Sequence, residues 1–125
     1  FIVQNLINTT GKSIYIEKEE MLNAATAVSG SGPAYVFYFM QAMIESAIQL
    51  GFSLSEAEFL VSQTFSGSVQ LQTRSKLSNE AWIQRVASKG GTTEAALLVF
   101  NKNELQEIVI EGIEAANARA LELGS

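Results

Sequence analysis

Apolar positions recur at helical spacing along almost the whole chain, and the pattern predicts six helices with little else between them. They run from Glu19 to Val28, Pro33 to Leu50, near Ser55 to Ser75, Asn79 to Ala87, Thr92 to Phe100 and Glu104 to Leu123. Ser55-Glu56-Ala57-Glu58 reads as a capping box that opens the third helix, and Gly51 as the stop of the second. Phe1 to Asn8 reads as the end of a helix stopped near Gly11, with Ser13-Ile14-Tyr15-Ile16 extended behind it. Residues 1–18 are thus the end of a helix and a linker, and residues 19–125 one helical domain. Phe1 is an unusual first residue, so the N-terminus reads as a cut.

The second helix is apolar on nearly every side. Tyr35, Val36, Phe37, Tyr38, Phe39, Met40, Met43, Ile44, Ala47, Ile48 and Leu50 leave only the thin polar stripe of Gln41, Glu45 and Gln49. A helix of this kind has to be covered on nearly every side. The polar stripe and the lack of basic flanks argue against a membrane span. The other helices of one small domain are too few to cover it, so the pattern predicts cover from a second copy of the chain or from another domain. Ser62, Thr64, Ser66, Gly67 and Ser68 on the third helix permit a close neighbour. The last helix is conventionally amphipathic, with Leu105, Val109, Ile113 and Ala116 opposite Glu107, Glu111 and Glu114.

Composition sharpens this. The chain has 125 residues, 47% of them hydrophobic, and a single proline, which describes one packed domain rather than a disordered or loop-rich segment. A net charge of −5 disfavours nonspecific nucleic-acid binding. Cysteine and histidine are both absent, which excludes disulfides, zinc sites of the usual kind, a thiolate nucleophile and an imidazole base. Chemistry here must use hydroxyls, carboxylates, backbone amides or a borrowed cofactor. The lack of cysteine fits a reducing cytoplasm.

Two small-residue junctions stand out, Ala25 to Tyr35 and Ser88-Lys89-Gly90-Gly91-Thr92-Thr93. Each places glycines where a helix starts, where first-turn N–H groups carry partial positive charge and a polar or anionic group can come close. Gly30-Ser31-Gly32 does not complete a dinucleotide fingerprint, because Tyr35 fills the third glycine position and no βαβ unit surrounds it. A tight turn needing positive φ is the plain alternative for Gly90 and Gly91.

Taken together, Ser29-Gly30-Ser31-Gly32-Pro33-Ala34-Tyr35, Val86-Ala87-Ser88-Lys89-Gly90-Gly91-Thr92-Thr93, Ala96-Leu97 and the final Arg119-Ala120-Leu121-Glu122-Leu123 closely resemble the C-terminal domain of pyrroline-5-carboxylate reductase. The resemblance covers essentially the whole chain. It implies an all-α helical bundle, an interlocked dimerisation domain forming the C-terminal half of a two-domain reductase similar to 6-phosphogluconate dehydrogenase. It also implies NADP- or NAD-dependent reduction of 1-pyrroline-5-carboxylate to L-proline, a preceding Rossmann domain that this chain lacks, and a homodimer or larger homo-oligomer in the cytoplasm. Residues 1–18 then close an interdomain helix and linker.

The same resemblance implies roles. Ser88, Gly90, Gly91, Thr92 and Thr93 hold the substrate, the amides of Gly91 and Thr92 taking its carboxylate and the Thr93 hydroxyl, the catalytic candidate, lying beside the ring nitrogen. Thr26, Ser31 and Gly32 face the nicotinamide end of the cofactor. No metal, nucleic acid or membrane enters. One departure is Lys89, where many family members carry proline; lysine loosens the loop entry and brings a cation near the carboxylate site. Two other readings stay open: a stand-alone helical oligomerisation module, and a carboxylate-binding protein without catalysis.

Overall fold

A computed structural model describes residues 2–4, 13–15, 19–88 and 91–124. Six α-helices dominate: α1 (Glu19–Ala25), α2 (Gly32–Gln49), α3 (Leu54–Arg74), α4 (Asn79–Ala87), α5 (Gly91–Lys102) and α6 (Leu105–Gly124). At Ile2–Gln4 the expected helix end is replaced by a strand, and the rest of that expected helix, with its stop near Gly11, lies outside the described residues. Ile2–Gln4 is strand β1 and pairs antiparallel with β2, Ser13–Tyr15, in the register Ile2 to Tyr15, Val3 to Ile14 and Gln4 to Ser13. Consecutive β-branched residues, Ile2 and Val3, favour a pleated pairing over a helix turn. The extended reading of Ser13 to Tyr15 holds.

The chain divides into two compact units. The first comprises the residues up to Tyr38 together with those from Leu105 onward. In it α1 continues into a π turn, Thr26–Gly30, and α6 packs on both. The half-buried stripe of α6 is Leu105, Ile113, Ala116, Asn117 and Ala120, whereas Val109, expected on that stripe, is 46% exposed. Glu107, Glu111 and Glu114 face solvent as their spacing requires. Ala27, at the heart of the π turn, is buried.

The second unit, Phe39–Glu104, contains a small core where Ile44 of α2 meets Ala57 and Val61 of α3, flanked by Met40, Met43, Ala47 and Phe65. Phe39 and Phe65 meet edge to face, 6.3 Å between centroids. The helix ends are well made. Gly51, at φ 115°, ends α2 in a Schellman arrangement, with Phe52 N–H donating to Ala47 O at 3.1 Å and Gly51 N–H to Ile48 O at 3.0 Å. Since an L side chain is strained at that φ, Gly51→Ala is expected to cost about 1–2 kcal/mol, read as a lower midpoint in urea titration.

The capping box sits two residues earlier than its expected place at Ser55 and Glu58. Ser53 is the N-cap of α3, its hydroxyl accepting from Glu56 N–H at 3.2 Å, while Ser53 N–H donates to Glu56 Oε1 at 2.9 Å. Both serines begin the same four-residue pattern, but only Ser53 has the extended backbone, φ −70° and ψ 164°, that a cap requires. Hydrogen bonding from Ser53, first from its backbone N–H and then from its side chain, holds the Glu56 carboxyl below the usual carboxylate range. A depressed folded-state value means that this contribution to stability is complete above the ordinary carboxylate range and is lost as pH falls through the lowered value. Ser53→Ala is expected to cost about 1 kcal/mol at neutral pH, and Glu56→Gln, which removes the titrating group, to flatten the acid limb of the stability profile, both checked by thermal melts across pH.

Burial is sparse. Only Ala27, Ile44, Ala57, Val61 and Ala87 are buried among the described side chains, and none of the large ones is fully enclosed. Of the over-apolar α2, Ile44 alone is buried, while Phe37 is 63% and Tyr38 81% exposed. Exposed aromatics on this scale mark an interaction surface. Among the described residues no helix is long and apolar enough to cross a membrane.

Candidate functional site

The residues singled out in the sequence fall into the two units, and each unit presents its own part. In the first, Thr26 opens the π turn and Ser31 closes it, its N–H donating to Thr26 O at 2.9 Å. The Thr26 hydroxyl donates back to Leu22 O at 3.0 Å, so only its lone pairs remain for a ligand. Tyr35 reaches from the first turn of α2 to Ala27 O at 2.7 Å and pins the turn. Gly32 opens α2 with Pro33 second in the helix, one place later than the first-position proline expected. Ala34 N–H already bonds Ser31 O at 3.0 Å. With Ser31 and Ala34 amides engaged and Pro33 lacking one, this junction is a braced ledge rather than a nest of free amides, contrary to the expectation.

In the second unit, α4 starts at the N-cap Ser78, whose hydroxyl accepts from Ala81 N–H at 3.1 Å, and ends at Ser88. Ser88 N–H bonds Gln84 O and its hydroxyl donates to Arg85 O, both at 2.9 Å, which turns the side chain back onto its own helix. Lys89 and Gly90 lie outside the described residues. Gly91 opens α5, and Gly91 and Thr92 are exposed at a helix start whose first N–H groups have no partner inside the helix. Thr93 is half-buried and lines an apolar groove of about 790 Å³ walled by Phe39, Phe65, Trp82, Ile83, Val86 and Leu97. The sequence reading missed this wall, although Trp82 with Val86 and Thr93 with Leu97 each sit four residues apart on their helices.

The glycines are informative for what they do not touch. Gly51 is the one described glycine with positive φ, so a strained turn does not explain Gly91 or Gly32. A Cβ placed on either would meet nothing within 4 Å. Gly67 and Gly112 share that open space but lie mid-helix, where the amides are bonded and a neighbouring helix is the natural visitor. Next to Gly67, a shallow hollow of about 470 Å³ runs along α3 past Thr64, Ser68 and Leu71, in keeping with the expected close neighbour. At Gly91 the amides of a helix start are the exposed feature instead. Among the described residues no three His, Cys or carboxylate side chains converge as a metal site would require.

The sequence pattern of the family described as "Pyrroline-5-carboxylate reductase dimerisation" matches residues 19–123, the whole helical part including both glycine junctions. The chain belongs to that family. The pyrroline-5-carboxylate reductase of Pseudomonas aeruginosa is 39% identical over 118 residues, covering 94% of this chain and 43% of the relative. That of Vibrio alginolyticus is also 39% identical, with 94% and 44% covered. Among solved structures, Plasmodium falciparum pyrroline carboxylate reductase with NADP bound superposes with a TM-score of 0.85 at 34% identity, covering 90% of this chain and 43% of that one. A pyrroline-5-carboxylate reductase from Coxiella burnetii gives 0.83 at 40% identity, with 88% and 41% covered. The chain therefore spans less than half the length of the reductases it matches. The hairpin of β1 and β2 lies outside the stretch that the family pattern matches.

Proposed function

We propose that this chain is the dimerising, substrate-holding part of a cytoplasmic reductase that converts 1-pyrroline-5-carboxylate to L-proline with NADPH or NADH, acting with a nucleotide-binding domain of its own protein and with a second copy of itself. The single observation that carries the reading is the start of α5. There a glycine that neither its backbone conformation nor any neighbour requires exposes helix-start amides directly beside a threonine on an apolar groove. Helix-start amides suit a carboxylate, and an apolar groove suits the methylenes of a small ring.

In this reading Gly91 and Thr92 N–H groups take the ligand carboxylate, which fixes the ring in one orientation. Thr93 then holds its hydroxyl beside the ring nitrogen. A threonine hydroxyl is no acid near neutral pH, so it orients the nitrogen while water supplies the proton. Ser88, whose hydroxyl proton is committed to Arg85 O, shapes the loop entry together with Gly90. In the first unit, Thr26, Ser31 and Gly32 form the nicotinamide side. The open space over Gly32 and the braced π turn beneath it fit a flat ring lying close to the backbone. A bound nicotinamide supplies the hydride that reduces the imine carbon.

Crystals of the chain grown with L-proline test the reading. Carboxylate oxygens within hydrogen-bond distance of Gly91 and Thr92 N–H are expected, with the ring nitrogen next to Thr93; proline bound elsewhere, or a chain that takes up none at saturating concentration, overturns it.

A further inference from the structure

The π turn Thr26–Gly30 is held from outside itself. Ala25 before it keeps helical angles, φ −62° and ψ −37°, and lends it no side-chain bond. In an α-helix the N–H of Ser31 would donate four residues back, to Ala27 O; here it donates five residues back, to Thr26 O, at 2.9 Å. The π register thereby takes from Ala27 O the donor that the α register would give it. Ala27 is 1% exposed, and a buried carbonyl left bare costs more than an ordinary hydrogen bond contributes. Tyr35 supplies a donor instead. Its half-buried hydroxyl bonds Ala27 O at 2.7 Å, from the first turn of α2. Pro33, between the two, has no N–H to offer. All of these residues belong to the first unit.

We infer that Tyr35 is a positioning residue for the nicotinamide side: by bonding Ala27 O it keeps Ser31 in the π register and so sets where Ser31 and Gly32 meet the ring. The consequence for the ring rests on the proposed role of that junction; the choice of register rests on two acceptors one residue apart. Without the phenol, the α register is the one that pairs both of them, Ala27 O with Ser31 N–H and Thr26 O with Gly30 N–H. One residue occupies about 100° of an α-helical turn, so the change of acceptor re-aims the Ser31 side chain and the open backbone face of Gly32. π turns are rare for lack of intrinsic stability and persist where a tertiary contact holds them; here that contact is a single hydroxyl.

Two measurements test this on two variants. Tyr35→Phe deletes the hydroxyl and keeps the ring, and 4-aminophenylalanine in place of Tyr35 keeps a donor at the ring tip. Crystal structures of the 125-residue chain read the register: Ser31 N–H is expected on Ala27 O in Tyr35→Phe and on Thr26 O in the 4-amino variant. Steady-state kinetics of the whole protein, this chain with its nucleotide-binding domain, read the consequence. Tyr35→Phe is expected to raise KM for NADPH at least about threefold and to leave KM for 1-pyrroline-5-carboxylate unchanged, with recovery in the 4-amino variant. Mere loss of folded protein would lower kcat and move neither KM. If Ser31 stays on Thr26 O in Tyr35→Phe, the phenol does not set the register and the inference falls, while the nicotinamide reading stands. If the register changes and KM for NADPH does not, the junction is not the nicotinamide side and both fall. If both KM values rise alike, the hydroxyl supports the fold in general and the inference falls.

Discussion

Ile83→Glu is expected to turn an associating chain into monomers at micromolar concentration. Ile83 lies on the apolar groove and is 46% exposed in the single chain, so a carboxylate there keeps its water while the chain is alone. If the second copy covers Ile83, the same carboxylate is buried without a partner. An uncompensated buried charge costs roughly 3–5 kcal/mol, which raises the dissociation constant by roughly two to four orders of magnitude. In a two-fold dimer the substitution occurs twice and the effect grows. Sedimentation equilibrium measures this, with Gln84→Glu as the control: its side chain is exposed on the same helix and does not line the groove. A dimer that survives Ile83→Glu at unchanged affinity would move the interface elsewhere.

Thr93 carries the second large effect. With the chain joined to the nucleotide-binding half of a relative such as the Pseudomonas aeruginosa enzyme, Thr93→Ala is expected to lower kcat/KM for 1-pyrroline-5-carboxylate by more than tenfold. A hydrogen bond to a charged nitrogen contributes about 1.5–3 kcal/mol, and the loss of one such bond corresponds to roughly ten- to hundredfold. Because Thr93 is half-buried on the groove wall, alanine also removes a methyl group from the wall. Thr93→Val separates the two effects: it keeps the shape and deletes the hydroxyl. Thr93→Ser, which keeps the hydroxyl, is expected to recover most of the rate. Equal kinetics in the valine variant would remove the hydroxyl from the mechanism.

Much of the fold is written locally. The bounds of α4 follow from a cap at Ser78 and a run that stops at the Ser88 turn, and the end of α2 follows from Gly51, because both depend on residues within one turn of each other. Competing local signals were harder to separate. Ser53 and Ser55 start identical four-residue patterns, and only the backbone angle at Ser53 decides between them. The π turn escaped because it is set by contacts across the unit, from Tyr35 to Ala27 and from α6 packed against it, rather than by any residue preference. At the candidate site the glycines, serines and threonines were visible as a motif. The groove was not, since Phe39, Phe65, Trp82 and Leu97 come from four different helices and meet only in three dimensions. Hydrogen-bond directions were equally hidden. Nothing in the sequence says that Ser88 turns its hydroxyl onto its own helix.

The thinness of the interior reaches beyond architecture to how the molecule behaves on dilution. Among the described residues only five side chains are buried, three of them alanines, which gives an isolated protomer little reason to hold its shape. Folding and pairing are then one equilibrium, and the thermal midpoint climbs with the amount of protein in the cuvette instead of being a constant of the chain. Subunits released by dilution would then lose structure as they separate, and mixed assemblies would form by chains refolding together.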